Sequence, residues 1–187
     1  MLETTRRAFL CGAAAAGAAL YVPEAHATLL RGLSLQQLVQ RSDRSLVLEP
    51  FEATAHYALI GGRRSIVTDT RVGVHEAWTT GAPESELTLR TLGGRLAGVA
   101  ELVHGQPVLE LGVRAVAFLK RSRDGQTWWT QGMAQGHFPL TGQSETSLLL
   151  ANRGLPSILH IETSAVRQLV GRQLSDAREL VRQARLP

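Results

Sequence analysis

Four features are scarce in this sequence of 187 residues: cysteine, lysine, aromatic side chains and long apolar runs. The single cysteine, Cys11, lies near the N-terminus, so no disulfide can form within the chain. Lys120 is the only lysine, and the formal net charge of +4 is too small to require a nucleic-acid partner. Aromatic residues make up 5% of the chain, which leaves few rings for stacking on bases. We therefore predict no nucleic-acid partner.

The N-terminal segment has the pattern of a twin-arginine export signal. Arg6 and Arg7 are followed, after one residue, by Phe9 and Leu10. An Ala/Gly-rich apolar run covers 9–22, about 14 residues, whereas a membrane-spanning helix needs about 20. No later stretch is long enough to span a membrane either, so we predict no transmembrane segment in the mature chain.

The apolar run ends in a site of the kind that signal peptidases accept. Ala25 and Ala27 flank one residue in the small-x-small arrangement. We predict a signal peptide over 1–27, a mature chain that begins at Thr28, and the twin-arginine translocase as a partner during export. The mature chain is then periplasmic or secreted. The alternative is an N-terminal apolar helix of a cytosolic protein, but the order of arginine pair, apolar run and cleavage site favours export.

The first part of the mature chain alternates apolar and polar residues with period two, after one short helix. Ser34 is a candidate N-cap for the helix over 34–39. Gly61-Gly62 and Asp124-Gly125 indicate hairpin turns. The predicted strands cover 45–49, 53–60, 65–78, 86–92, 97–103, 113–120, 126–134 and 137–141. So many successive strands predict a barrel or a sandwich.

The C-terminal part changes to helical periodicity. From Thr163, a candidate cap, apolar residues recur at helical spacing, and Gly171 and Ser175 divide the segment into two helices. We predict a β domain over 28–161 and an amphipathic helical segment over 162–187 that packs on it. The alternative is a basic membrane-surface helix, but its apolar side lacks large aromatic residues.

Three stretches, at 91–94, 105–119 and 132–138, carry a family resemblance. Together they resemble a group of uncharacterised exported bacterial proteins, over 34–141. The barrel also looks like the OB-type folds of netrin and tissue metalloprotease inhibitor domains. The resemblance implies a small OB-like β-barrel and export, but no activity. The inhibitors bind the protease zinc through an N-terminal cysteine, which the mature chain lacks.

A search for catalytic patterns yields no nucleophile, phosphate loop or metal motif. His75-Glu76 begins like a zinc-protease motif, but the second histidine is missing and the segment reads as a strand. We predict no catalytic residue, no cofactor and no metal. The alternative is an envelope hydrolase or metal-dependent enzyme with a site assembled from dispersed histidines. The mature histidines are His56, His75, His104, His137 and His160.

The sequence favours a non-catalytic binding or accessory module of the cell envelope, with an unidentified envelope protein or ligand as partner. The adjacent tryptophans Trp128-Trp129 point to opposite faces of a strand, so a barrel buries one of them. The other lies under the C-terminal helix or at a binding surface, and turns on a rigid barrel also carry binding. The candidate binding surface comprises Trp129, Gly93, Gly94, Gly136 and His137.

Overall fold

The computed structural model describes residues 29–78 and 84–185, so the predicted signal peptide lies outside the described residues. The strands are β1 (Leu30–Arg31), β2 (Arg44–Ile60), β3 (Arg63–Ala77), β4 (Glu86–Leu92), β5 (Gly94–Leu96), β6 (Val99–Glu101), β7 (Ala115–Arg121), β8 (Trp128–Thr130), β9 (His137–Pro139) and β10 (Ile158–Leu159). The helices are α1 (Leu35–Arg41), α2 (Ala165–Leu169) and α3 (Leu174–Arg185), with 3-10 turns at Met133–Gly136 and Ile161–Thr163.

Five strands close into a ring in the order β2-β3-β4-β8-β7, because β7 pairs again with β2. The pairs are antiparallel except β4 with β8, which run parallel and meet at Leu89 and Trp128. β9 continues along the edge of β7 where β8 ends. The prediction of a mainly β chain that forms a small barrel with short helices is confirmed.

The ring encloses one of two apolar cores. Along β7, Ala115, Ala117 and Leu119 point inward while Val116 and Phe118 point outward, and all five are buried. β7, which lies within the predicted strand 113–120 except for Arg121, is therefore buried on both faces over Ala115–Leu119. The inner core consists of Leu46, Leu48, Val72, Leu87, Leu89, Ala115, Ala117, Leu119 and Trp128.

The second core lies between the helices and the outer wall of β2, β7 and β9. Ser34 caps α1 as predicted: its Oγ accepts the Gln37 N–H at 3.2 Å, and the Gln37 side chain accepts the Ser34 N–H. In α3, Ala177 and Val181 are fully buried in this core, and the helix packs on α1. The predicted C-terminal amphipathic helix is confirmed, and its apolar side is covered by protein rather than free for a membrane.

β2 corrects the prediction of two separate strands at 45–49 and 53–60. Pro50, which lies between the two predicted strands, has no N–H to donate to a sheet. The structure instead carries one strand through this point, with a register shift against β3 between Pro50 and Glu52. An irregular position of this kind tolerates proline, so the strand bends without ending.

Three other predicted boundaries are wrong. The predicted strand 97–103 is instead the small hairpin β5–β6, which turns at 97–98. The predicted strand 126–134 is reduced to β8, since the chain enters a 3-10 turn before it rejoins the sheet as β9. Ser164 rather than Thr163 caps α2, through the Arg167 N–H.

The β2–β3 hairpin extends well beyond the ring. β7 pairs only with Arg44–Leu48 of β2, and β4 pairs only with Val67–Gly73 of β3. Beyond these pairings β2 and β3 continue as a two-stranded ribbon, which pairs as far as Ile60 and Arg63. The ribbon ends at the predicted turn Gly61-Gly62, where φ is 58° and 81°. Two consecutive positive φ angles are typical of the tight hairpin turn whose twist matches that of the strands.

Candidate binding cleft

A cleft of about 480 Å³ lies against the C-terminal half of β4 and the adjoining part of β3. This volume falls within the range of roughly 300–1,000 Å³ that is usual for small-molecule sites. The lining comes from Ala53, Thr68, Thr70, 91–94, 101–109 and 153–156. The cleft is therefore built from β3 and β4, from one residue of β2, and from two segments, 101–109 and 153–156, that are distant in sequence.

The floor of the cleft consists of threonines on the inner face of β3 and β4. Thr68 lies opposite Thr91, and Thr70 lies opposite Leu89 of the inner core. The Thr68 hydroxyl donates a hydrogen bond of 2.8 Å to the Gly93 carbonyl. The Thr70 hydroxyl makes no hydrogen bond to another described residue. The apolar core thus gives way, toward the cleft, to hydroxyl groups.

A glycine turn forms the rim where β4 ends. Gly93 and Gly94 have φ of 89° and 142°, which L-side chains rarely adopt. A Cβ on Gly93 would lie 2.6 Å from the Glu101 carbonyl oxygen, and one on Gly94 would collide with the Thr68 hydroxyl. Glycine at these two positions allows the cleft loop to approach the strands closely.

The loop 101–109 is fixed to the ribbon and to β4 by side chains that bind backbone. Glu101 Oε2 accepts the Ile66 N–H at 2.8 Å. Gln106 Oε1 accepts the Leu92 N–H at 3.2 Å, so the amide oxygen is occupied. The Gln106 Nε2 has no partner among the described residues. Gln106 therefore holds the wall and leaves a hydrogen-bond donor at the cleft.

Asn152 ties the two cleft loops to the barrel. Its Oδ1 accepts the N–H groups of Val108 and Gly154 at 2.9 and 2.8 Å, which orients the amide. Its Nδ2 then donates to the Val108 carbonyl at 2.9 Å and to His137 Nδ1 at 2.8 Å. The His137 proton must consequently sit on Nε2, because Nδ1 accepts. The wall behind Val108 is thus a fully oriented polar network.

His137 is the buried end of this network. Its side chain is 2% exposed, and Nε2 has no hydrogen-bond partner among the described residues. Burial lowers the pKa of His137 to about 4, because the protein interior disfavours the charged imidazolium. His137 is therefore neutral at physiological pH and acts in the packing of the wall behind the cleft.

The cleft chemistry suits a ligand with an apolar body and hydrogen-bond acceptors. Leucine, valine and proline occupy more than half of the loop positions that line the cleft. The charged groups are already engaged: Arg153 lies 3.0 Å from Glu110, and Glu101 accepts from backbone. The donors that remain are the Thr70 hydroxyl and the Gln106 amide, with the exposed His104 at the edge. Such groups position a ligand but form no acid–base pair.

The structure separates the residues of the predicted binding surface. Gly93 and Gly94 line the cleft, whereas Trp129, Gly136 and His137 do not. Gly136 and His137 are buried, so the expected surface turn at this point is corrected. Gly136 is packed too tightly against the Gln131 backbone to carry a side chain.

The two tryptophans lie on opposite faces of β8, as the strand geometry predicts, and Trp129 is not part of the core that the helices cover. Trp128 is 7% exposed and belongs to the inner core. Trp129 is half-buried on the other face of β8, and it is not among the described residues of the outer core. The export residues Arg6, Arg7, Phe9, Leu10, Ala25 and Ala27 lie outside the described residues.

Sequence reasoning missed Thr70, Gln106 and Asn152. Thr70 occupies an ordinary inward position in the alternation of its strand, so the sequence does not identify it as a site residue. Gln106 and Asn152 act through contacts with backbone that is 14 and 44 residues away. The one local signal is the segment Asn152-Arg153-Gly154, in which an asparagine oxygen accepts the N–H two residues later, as asparagine commonly does in turns.

Comparison with protein-family models, with curated proteins and with solved structures gives no match for this chain. Within 29–78 and 84–185, no three His, Cys, Asp or Glu side chains come together in a way that could hold a metal ion. In the same ranges no helix is long and apolar enough to cross a membrane.

Proposed function

We propose that the chain is an exported binding module of the cell envelope, without catalysis of its own, and that the cleft holds its ligand. The observation that carries this proposal is the cleft itself: an open volume of about 480 Å³ with oriented, unpartnered donors on a mostly apolar wall. Pockets of this size with a few placed polar groups are the usual form of small-molecule sites. The ligand class is a small molecule with an apolar body and a carbonyl, hydroxyl or carboxylate acceptor.

The position of the cleft agrees with an OB-type arrangement, which we propose for the ring. Along the chain the ring strands are β2, β3, β4, β7 and β8, and the strand residues that line the cleft come mostly from the second and third of them, with Ala53 from the first. OB-type barrels bind ligands on the face of their second and third strands. Among the described lining residues there is no Phe, Tyr or Trp, which argues against a single-stranded nucleic acid that stacks its bases.

Export supports an envelope location for this ligand. The arginine pair at 6–7, the apolar run and the small-x-small site at 25–27 support passage through the twin-arginine translocase, in the periplasmic or secreted form. That route carries folded proteins, so the cleft is formed before the chain leaves the cytoplasm. The ligand can therefore be loaded before export or taken up after it.

A variant that fills the cleft tests the proposal. The Val108 side chain is 44% exposed and lines the cleft, so Val108→Trp adds a ring there without changing the backbone bonds to Asn152. Leu111→Trp is the matched control, because Leu111 is 55% exposed and is not part of the lining. The three proteins are purified from the envelope of the exporting cells and weighed by native mass spectrometry.

We expect a retained small molecule in the wild type and in Leu111→Trp, and none in Val108→Trp. Retention by all three proteins would place the ligand elsewhere and contradict the proposal. A hydrolase screen on the same samples tests the enzyme alternative. The enzyme alternative would be correct if the protein turns over a substrate, one His→Ala change abolishes that turnover, and none of the three proteins retains a small molecule.

A further inference from the structure

The far end of the β2–β3 ribbon, residues 57–64, exposes apolar side chains to solvent; we call it the hairpin tip. Leu59 is 76% exposed and Tyr57 is 41% exposed. At the turn, a Cβ built on Gly61 or Gly62 would meet no atom within 4 Å. The tip therefore projects away from the rest of the described chain, with an apolar residue at its end that no core requires.

The hairpin tip is also positively charged. Residues 53–68 contain two arginines, Arg63 and Arg64, and no aspartate or glutamate. Among the described residues neither arginine forms an ion pair, and the Arg64 guanidinium carbon lies 3.9 Å from the centre of the Tyr57 ring. In the ladder Arg64 is opposite Leu59, and Arg63 is opposite Ile60. Each cation thus lies beside an apolar side chain at the same end of the ribbon.

We propose that the hairpin tip docks on an anionic phospholipid surface. Leu59 and Ile60 would enter the acyl boundary, while the two guanidinium groups stay at the level of the lipid phosphates, as long basic side chains do. Tyrosine prefers this interfacial level, and anionic lipids attract clustered basic residues. We favour anionic lipid because the arginines of the tip complement the negative headgroups, and its apolar side chains suit the acyl boundary beneath them.

A protein partner fits the hairpin tip less well. A specific protein interface buries about 800 Å² on each side, and a two-stranded ribbon end with one strongly exposed leucine offers little flat area. The C-terminal helix is not an alternative membrane contact, because its apolar residues Ala177 and Val181 are buried. The proposal is independent of the ligand in the cleft, since no residue of the tip lines it.

Co-sedimentation with vesicles tests the proposal, using the protein as the exporting cells release it. The probes are phosphatidylglycerol-rich vesicles and pure phosphatidylcholine vesicles. We expect the wild type to bind the anionic vesicles, and Arg63→Glu/Arg64→Glu to bind them roughly tenfold more weakly or worse, because two attractions become repulsions. Leu59→Ser should also weaken binding, at unchanged charge.

Matched controls separate the tip from general charge and apolarity. Arg31→Glu/Arg123→Glu makes the same change in net charge at two exposed positions outside the tip, and Leu111→Ser removes another exposed leucine, which is 55% exposed. Both controls should bind like the wild type, and all variants should keep the wild-type melting temperature. Equal binding of Arg63→Glu/Arg64→Glu and its control would overturn the proposal. Dimerisation without lipid that Leu59→Ser abolishes would overturn it in favour of a second copy.

Discussion

At the scale of single residues, the cleft depends on polar side chains that hold backbone. Asn152 uses both atoms of its amide to fix Val108 and has one donor left for His137. Each of these bonds is buried or half-buried, where an unpaired polar group costs about 1–3 kcal/mol. The network therefore keeps the cleft wall in one position before any ligand arrives, and a preformed wall lowers the cost of binding.

The burial of His137 predicts a pH-dependent stability. Its pKa is about 4 in the native chain, against about 6.5 in an unfolded one, so only the unfolded chain binds this proton between those values. The free energy of unfolding should fall by about 3 kcal/mol through this residue as the pH drops from 6.5 to 4, and no further below that. Urea unfolding at a series of pH values measures the slope.

His137→Asn keeps an acceptor for Asn152 but removes the titration. We expect this variant to be less stable at neutral pH, because it loses ring volume, and to lose stability less steeply between pH 6.5 and 4. Urea unfolding of both proteins over the same pH values gives the two slopes. A slope in His137→Asn identical to the wild-type slope would show that His137 is protonated in the native chain.

At the scale of elements, β7 holds the two cores together. One face of the strand supplies the interior of the ring and the other supplies the wall on which the helices pack. Phe118 is fully buried on the helical side, and its ring meets Phe138 edge-on, with centroids 6.1 Å apart and planes at 82°. The barrel and the helices consequently stabilise each other through this strand.

Phe118→Ala should lower the free energy of unfolding by about 3–5 kcal/mol, as truncation of a buried aromatic does. Phe51→Ala is the control, because Phe51 is 44% exposed, and it should change stability by much less. Chemical or thermal unfolding of both variants measures the difference. Equal losses in the two variants would mean that the outer core contributes little to the stability of the fold.

The sequence predicted the elements that local rules determine. The Ser34 cap, the hairpin at Gly61-Gly62 and the strand β7 each follow from nearby residues. The errors occur where a tertiary contact overrides a local signal. β2 continues through Pro50 because its register against β3 shifts beside this residue. Gly93 and Gly94 were predicted as part of a binding surface, but the donors of the cleft were not, because Gln106 and Thr70 come to line one cleft only when the chain has folded.

At the scale of the whole molecule, the helices and the cleft occupy different walls. The helical layer covers β2, β7 and β9, whereas the cleft is formed on β3 and β4 together with the two loops. The hairpin tip lies at the end of the same β2–β3 ribbon that supplies the cleft floor. A ligand site and a membrane contact on one rigid ribbon would hold the cleft at a fixed position relative to the lipid surface.

Export through the twin-arginine route is a prediction about the whole chain. Replacing Arg6 and Arg7 together with lysine should retain the precursor in the cytoplasm, because the route depends on the arginine pair. Cell fractionation followed by N-terminal sequencing of the exported form measures the outcome. Undiminished release of a form that begins at Thr28 from the lysine variant would contradict this route.

The most direct test of the cleft is to locate the ligand by NMR. The small-molecule extract of the cell envelope is added to the labelled protein, and the backbone amide shifts are followed. Leu92 and Val108 are the reporters, because their N–H groups bind the side chains of Gln106 and Asn152. We predict shifts at Leu92, Gly93 and Val108, with helices α2 and α3 and the region of Trp129 unchanged. Shifts that concentrate on the helices or around Trp129, or no shifts at all, would contradict the account.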